Sequence, residues 1–352
     1  MKVHRFLAML VSPLIVAIAI CGAGAARADW PDHAVRWVVP FGPGGANDLI
    51  ARAAAEAVSK RLGQPVVIEN KPGAGAIIGA EAVAKAKPDG YTWLVGAAGV
   101  VTNSLLRSDM PYADSDLIPV GMIAVAPSVI VVNPSVPAGN LKEFVAWAKT
   151  QTGGINWATA GGGSTPHFVA EMLREAGVNI TIVPYKSGSE GMTAVLSNNV
   201  HATSEASIVV LPQVKAGKLK AVATTYSKRI SAYDSLPTAR EQGFAGVLIG
   251  HWAGLFAPKG TPAPIVERMS RELEAAVKSA EFRDKMVPSG IEPEPGTTAD
   301  FTVTSTIDCK EGRFFSSVEG LVSFRNGNIN EPVIRKLGSE KNWRASANGF
   351  PV

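Results

Sequence analysis

Residues Val38–Arg52 read VVPFGPGGANDLIAR: the β-branched end of a strand, a Pro/Gly turn, then a helical pattern. The strand is expected over Val35–Val39. The helix is expected from about Asn47 to Leu62, with Leu49, Ile50, Ala53, Ala54, Ala57 and Val58 on one face and Gly63 as its stop. Glycines between a strand and a helix N-terminus expose backbone N–H groups, and the helix end adds partial positive charge. An anion is therefore the natural guest of Phe41–Asp48. Nucleotides are a poor match, because the turn lacks the Gly-Lys-Ser/Thr of a phosphate-binding loop and its G-x-G-x-x-G pattern fails at Asn47.

Two further turns have the same character. Asn70–Gly75 (NKPGAG) follows the short strand Val66–Glu69 and precedes a helix near Ile77–Ala86. Thr159–His167 (TAGGGSTPH) precedes a helix whose buried face is expected to carry Phe168, Val169, Met172, Leu173 and Ala176, with Gly177 as its stop. Ser164 or Thr165 is placed to cap that helix, and Pro166 suits its first turn. Such turns also serve simply to join strands to helices tightly, but three of them favour a site. Facing one another across a cleft, they would hold a carboxylate through backbone donors and helix dipoles without an arginine.

Single residues divide between site and scaffold. Asp48 is expected to orient the first loop by accepting its N–H groups, although it could also receive a ligand hydroxyl or ammonium. His167 reads as a helix N-terminal residue packing on its neighbours. Tyr185 and Lys186 could supply a hydroxyl and a charge to an anion, a surface salt bridge being the other use for Lys186. No G-x-S-x-G, S-x-x-K or H-E-x-x-H pattern is present, and the five histidines are scattered singly. Neither a catalytic constellation nor a cofactor is expected.

The N-terminal residues have the form of an export signal. Lys2 and Arg5 precede an apolar run from Phe6 to Ile20, and Ala26-Arg27-Ala28 offers a cleavage site before Asp29. Cleavage would leave 324 of the 352 residues, and losing Lys2, Arg5 and Arg27 would take the formal charge from +4 to +1. A nearly neutral chain gives no reason to expect a nucleic-acid partner. Only Cys309 would remain, which excludes an intramolecular disulfide in the mature chain.

Short β-branched runs alternating with alanine-rich helical patterns imply an α/β architecture. The apolar runs Val129–Val132 and Trp252–Phe256 stand far apart, and the sequence between them alternates on its own, with a helix at Leu141–Lys149 and a strand at Lys220–Thr224. Two lobes follow: residues 29–132 with 251–301, and an inserted lobe at 133–250, joined by two crossing strands. After Thr261, Ile265, Val266, Met269, Leu273, Ala276 and Val277 form the stripe of a packing helix. Residues 302–352 lose periodicity and read as an atypical tail.

Assembled, these stretches resemble the Bug or TctC family, the extracytoplasmic solute receptors of tripartite tricarboxylate transporters. The phrases that carry the resemblance are VRWVVPFGPGGANDLIAR, LGQPVVIENKPGAGAIIGAEAVAKAKPDGYT, GINWATAGGGSTPHFVAEML, VPYKSGSEG, VKAGKLKAVATT and HWAGLFAPKGTPAPIVERM, in family order over about residues 31–301. The resemblance implies a type 2 periplasmic-binding-protein fold, two α/β lobes closing on a small organic mono- or dicarboxylate. It also implies membrane components of the transporter as partners. It places ligand contacts on Phe41, Gly44, Gly45, Asn47 and Asp48, on Gly75 and Ala76, and on Thr159, Gly161, Gly163, Ser164 and His167, with Tyr185, Lys186 and Glu205 beside them. Gly42 stands where proline is usual in the family, Ser187 where glycine is usual, and Glu205 where aspartate is common. The family's terminal helix after the equivalent of Phe301 is missing. The expected function is periplasmic capture of a carboxylate. The alternative is an exported α/β enzyme acting on a carboxylate, with Asp48 or His167 as acid/base.

Overall fold

The computed structural model describes residues 30–295, so the leader at 1–28 and the tail at 302–352 lie outside the described residues. Residues from His33 onward form the body considered below.

The first lobe begins as the opening stretch implies. Strand β1 (Val35–Val39) is followed by α1 (Ala46–Leu62), β2 (Val66–Asn70), a 3-10 turn at Ala74–Ala76, α2 (Ile77–Ala84), β3 (Thr92–Gly96) and α3 (Ala98–Leu106). Gly63 ends α1 in the left-handed region, φ 71°, where a Cβ would be costly. Strand β1 pairs in parallel with β2 and β3.

The long β4 (Leu117–Val132) then runs through both halves of the molecule. Its stretch from Leu117 to Pro127 pairs antiparallel with β9 (Gly250–Pro258) in the first sheet. From Ser128 to Val132 it pairs instead with β7 (Ala202–Ala206) and β8 (Lys220–Thr224) in the second. The change of partner falls inside a strand, which is why hydrophobic runs alone mark the crossing only approximately.

The second lobe adds α4 (Leu141–Thr150), β5 (Ile155–Thr159), α5 (Thr165–Glu175), β6 (Ile180–Pro184), α6 (Gly188–Leu196) and α7 (Ser207–Lys215). The chain returns along β9 to the first lobe with α8 (Ala263–Lys278), α9 (Ala280–Met286) and the short β10 (Glu292–Pro293). Strand order across the whole sheet is β2-β1-β3-β9-β4-β7-β5-β6, with β8 and β10 also on β4.

Each lobe has its own core. Val38, Ile77, Leu94, Leu117, Val125 and Phe256 cluster in the first. Leu141, Phe144, Ile155, Trp157, Phe168 and Leu173 cluster in the second. Separate cores bridged by two strands permit hinge motion, because bending at the bridge leaves both cores packed. The stripe on α8 is buried at Val266, Met269, Leu273, Ala276 and Val277. Among the described residues, no helix is long and apolar enough to cross a membrane.

Candidate functional site

The three glycine turns converge on the junction of the lobes. In the first, Gly44 has φ 77° and its N–H donates to Asp48 Oδ2 at 2.9 Å. The same carboxylate accepts from Arg52 Nε at 3.0 Å, Asn70 Nδ2 at 2.9 Å and Arg52 Nη2 at 2.9 Å. Burial alone would raise the pKa of Asp48, but the hydrogen bonds from Arg52, Gly44 and Asn70 outweigh it and hold the group below its ordinary value. Asn70 also donates to the Phe41 carbonyl at 3.0 Å. Asp48 is thus a strut of the loop.

The third turn repeats the arrangement with different chemistry. Gly163 N–H donates to His167 Nδ1 at 3.0 Å, again four residues along on the first turn of a helix. Burial, assisted by the nearby Arg174 charge, pushes His167 down to about 4, so the ring is neutral and free to accept. The expected side-chain cap is absent. Ser164 occupies the N-cap position of α5, but its hydroxyl donates to the Gly161 carbonyl at 2.6 Å and makes no cap bond.

Uncapped helix starts recur here. The N-cap residues of α1 and α3 are Gly45 and Ala97, which carry no capping side chain. Of the other helices, α4, α6 and α9 are capped by Asn140, Ser187 and Ser279, each accepting from the backbone three residues on, whereas α2, α7 and α8 start without a side-chain cap. An uncapped start forgoes about 1 kcal/mol, so three of them gathered at one place leave donors for something else.

They surround a small cavity of about 30 Å³. Gly45, Ala46 and Asn47 from the start of α1, Ala97, Ala98 and Gly99 from α3, and Ser164, Thr165 and Pro166 from α5 line it, together with Gly188, Glu205 and His251. Since a water-sized atom needs about 10–15 Å³ of such space, the cavity takes roughly two oxygen-sized atoms. Among the described residues lining it, none is Lys or Arg.

A larger cavity of about 610 Å³ adjoins it, sharing Phe41 and Ala160. Its walls include Gly75 and Ala76 of the second turn, Gly161 and His167 of the third, and Tyr185 and Lys186. Asn103, Arg107 and Glu190 complete its polar lining. Arg107 is already paired with Asp109, at 2.7 and 2.9 Å.

The lobes touch across the cleft. Gly42 N–H donates to the Lys186 carbonyl at 3.4 Å, Ser189 Oγ to the Pro43 carbonyl at 3.1 Å, and Thr102 Oγ1 to the Gly163 carbonyl at 3.5 Å. The closest approach is at Gly75 (φ 64°), where a Cβ would collide with the Gly162 carbonyl oxygen. Flanking Ala74 and Ala76 also have positive φ, 48° and 85°. Such conformations cost free energy for alanine and tend to persist at functional sites. Asn103 Nδ2 holds this turn by donating to the Gly75 carbonyl at 2.8 Å.

Of the residues singled out from the sequence, Phe41, Gly45, Asn47, Gly75, Ala76, Gly161, Ser164, His167, Tyr185, Lys186 and Glu205 line one or both cavities. Gly44, Asp48, Thr159 and Gly163 stand behind the lining and shape the loops; Thr159 does so by accepting from Gly161 N–H at 3.3 Å. The sequence reading overlooked the start of α3, whose Gly-Ala-Ala-Gly run has no turn signature, and His251, which stands alone in an apolar strand. Among the described residues, no group of three or more His, Cys, Asp or Glu is placed to hold a metal.

Comparison with known proteins identifies relatives of the whole fold. The profile of the tripartite tricarboxylate transporter family receptor, TctC, matches residues 50–306. BugT of Bordetella pertussis is 32% identical over 297 residues, covering 83% of this chain and 90% of BugT. The solved periplasmic binding protein BugD is 36% identical, covers 76% of this chain and 91% of its own, and superposes with a TM-score of 0.74. MatC from Rhodopseudomonas palustris, solved with bound malate, is 33% identical over 75% of this chain and 90% of its own, TM-score 0.71. A second R. palustris protein, solved with adipate, is 33% identical over 78% and 93%, TM-score 0.75. A two-lobed fold whose cleft gathers uncapped helix starts, matched over most of its length by these receptors, places the chain in the TctC family of tripartite tricarboxylate transporter receptors.

Proposed function

We propose that this receptor captures a small organic mono- or dicarboxylate between its lobes and delivers it to the membrane components of a tripartite tricarboxylate transporter. The observation that carries the reading is the small cavity at the starts of α1, α3 and α5, none of them capped by a side chain. Two oxygen-sized atoms fit there, and the N–H groups that begin α1 and α3, the Thr165 N–H that begins α5 and the three helix dipoles favour a negative charge. The larger cavity takes the rest of the molecule, with Phe41, Tyr185 and Lys186 on its walls. Relatives solved with malate and with adipate support the same ligand class.

In this reading the leader is removed before Asp29, the lobes are residues 29–132 with 251–301 and residues 133–250, and the ligand is met in the periplasm. The tail at 302–352 adds nothing to the pocket. Limited proteolysis that removes the tail should leave a fragment with undiminished affinity.

The direct test is a thermal-shift panel of acetate, benzoate, succinate, malate and adipate against neutral sugars and amines. An acid at a hundredfold its dissociation constant adds about 2.7 kcal/mol to stability if it binds only the folded state. Stabilisation by sugars or amines and by none of the acids would overturn the reading.

A further inference from the structure

The cavity built for an anion already contains an acid. Glu205, at the end of β7, is 3% exposed, and its Oε1 accepts the Ala206 N–H at 2.9 Å at the start of α7. His251 of β9 is 8% exposed and lines the same cavity. Its Nε2 is buried without a hydrogen-bond partner, 3.5 Å from Glu205 Oε1. Gly188 closes the other side, where a Cβ would overlap the Glu205 carboxyl.

This contact is not an ion pair at neutral pH. Burial pushes Glu205 up to about 7 and His251 down to about 3, so neither gains by charging. The other elements packed on β7 supply no nearby compensation. Strands β4 and β5 carry no titratable residue, and α7 carries only Lys215, at its far end. On α6, Glu190 accepts from Lys186 N–H at 3.1 Å. On α5, Glu171 pairs with Arg174, His167 is held neutral, and Glu175 lies in the last turn. Across the cavity on α1, the Arg52 charge is taken by Asp48.

A bound carboxylate would bring a second negative charge into this space, which has no lysine or arginine on its lining. Three helix N-termini at about half a charge each fall short of two negative charges, and two neighbouring carboxylates without a cation beside them resist being ionised together. We infer that the receptor takes up one proton at Glu205 as it binds a carboxylate, and that the Glu205 carboxyl then donates a hydrogen bond to the ligand. The proton comes from solvent, one O–H bond forms, and His251 remains neutral throughout. Capture is thereby proton-coupled, and Glu205 determines its pH range. The inference rests on the carboxylate reading of the site.

Isothermal titration calorimetry on the purified receptor tests it, using the same five acids at pH 7, 8 and 9 in two buffers of different ionisation enthalpy. All five acids are fully ionised throughout, so any pH dependence belongs to the protein. For an acid that binds, the dissociation constant should rise about tenfold per pH unit above the Glu205 pKa, with uptake approaching one proton per ligand. Glu205→Gln, permanently neutral and able to donate, should bind with no pH dependence and no proton uptake. Glu205→Asp should keep both, which guards against a Gln variant that fails to fold. A wild-type affinity that is flat from pH 7 to 9, with no proton uptake, overturns the inference while leaving the carboxylate reading intact. Binding by none of the five acids at any pH removes both.

Discussion

The two glycine loops that face each other across the cleft solve one problem with opposite chemistry. In the first lobe, Gly44 donates to an ionised carboxylate, Asp48, itself braced by Arg52 and Asn70. In the second, Gly163 donates to a neutral imidazole, His167. Both bonds run from a left-handed glycine to the side chain four residues on, and both leave the helix start beside them uncapped. The difference teaches that what is constrained is the position of the loop backbone, since an acid and a base serve equally as acceptor.

The strongest way to break this pairing is to separate the lobes that carry the two loops. Gly75→Val would place a side chain against the Gly162 carbonyl at a backbone φ that valine adopts poorly. Ligand affinity should fall roughly a hundredfold, about 2.7 kcal/mol, with the fold retained because the turn is at the surface of its own lobe. Titration calorimetry measures the loss, and small-angle scattering should find the ligand-bearing variant more open than wild type. Wild-type affinity would mean that the lobes need not close this far.

Cutting each strut separately compares the loops directly. Asp48→Ala leaves the Gly44 N–H without its acceptor and removes the charge-assisted bonds from Arg52, which is half exposed and keeps Asn70 Oδ1; it should cost about 2–3 kcal/mol in urea unfolding. His167→Ala removes a neutral acceptor and should cost about 1–2 kcal/mol. Equal costs would show that the Asp48 network adds nothing beyond its bond to the loop.

Acid sharpens the comparison further. His167 and His251 titrate near 6.5 when unfolded but at about 4 and about 3 when folded. Between those values the unfolded chain binds more protons, so stability rises with pH through this window and is lost as pH falls from about 6.5 toward 4. Glu205 acts in the opposite sense. Raised to about 7, it binds more protons when folded, and its contribution falls as pH rises from about 4.5 through 7. Thermal melts from pH 4.5 to 7 should therefore show a steeper rise in Glu205→Gln and a shallower one in His167→Ala. The reverse order would show that the two groups had been assigned the wrong sign. The smallest effect is expected at Gly162, where a Cβ meets open space. Gly162→Ala should change stability by less than about 0.5 kcal/mol, and a larger change would mean that the loop backbone differs from that described.

Much of this was legible in the order of residues. The strand-turn-helix at Val38–Arg52, the stop at Gly63, the stripe on α8 and the three glycine turns all follow from period and turn chemistry, which act over a few residues. Asp48 as the strut of its loop was also within reach, because donor and acceptor are four residues apart. The capping role expected of Ser164 was not met: its hydroxyl turns back to donate to the Gly161 carbonyl, and the His167 N–H that a cap would accept goes to the Ser164 carbonyl. The crossing strand was located only in its apolar half, since Leu117–Pro127 and Ser128–Val132 differ in partner and not in pattern.

By itself, then, the sequence determined the alternation of strands and helices, the glycine loops and the family to which they point. Those are local properties, set by backbone sterics and hydrophobic period. Only the tertiary structure decided that the starts of α1, α3 and α5 meet, that Gly75 lies against Gly162, and that Glu205 shares a buried cavity with His251, 46 positions away in the chain. Burial and electrostatic coupling depend on distance in space, and no spacing along the chain encodes them.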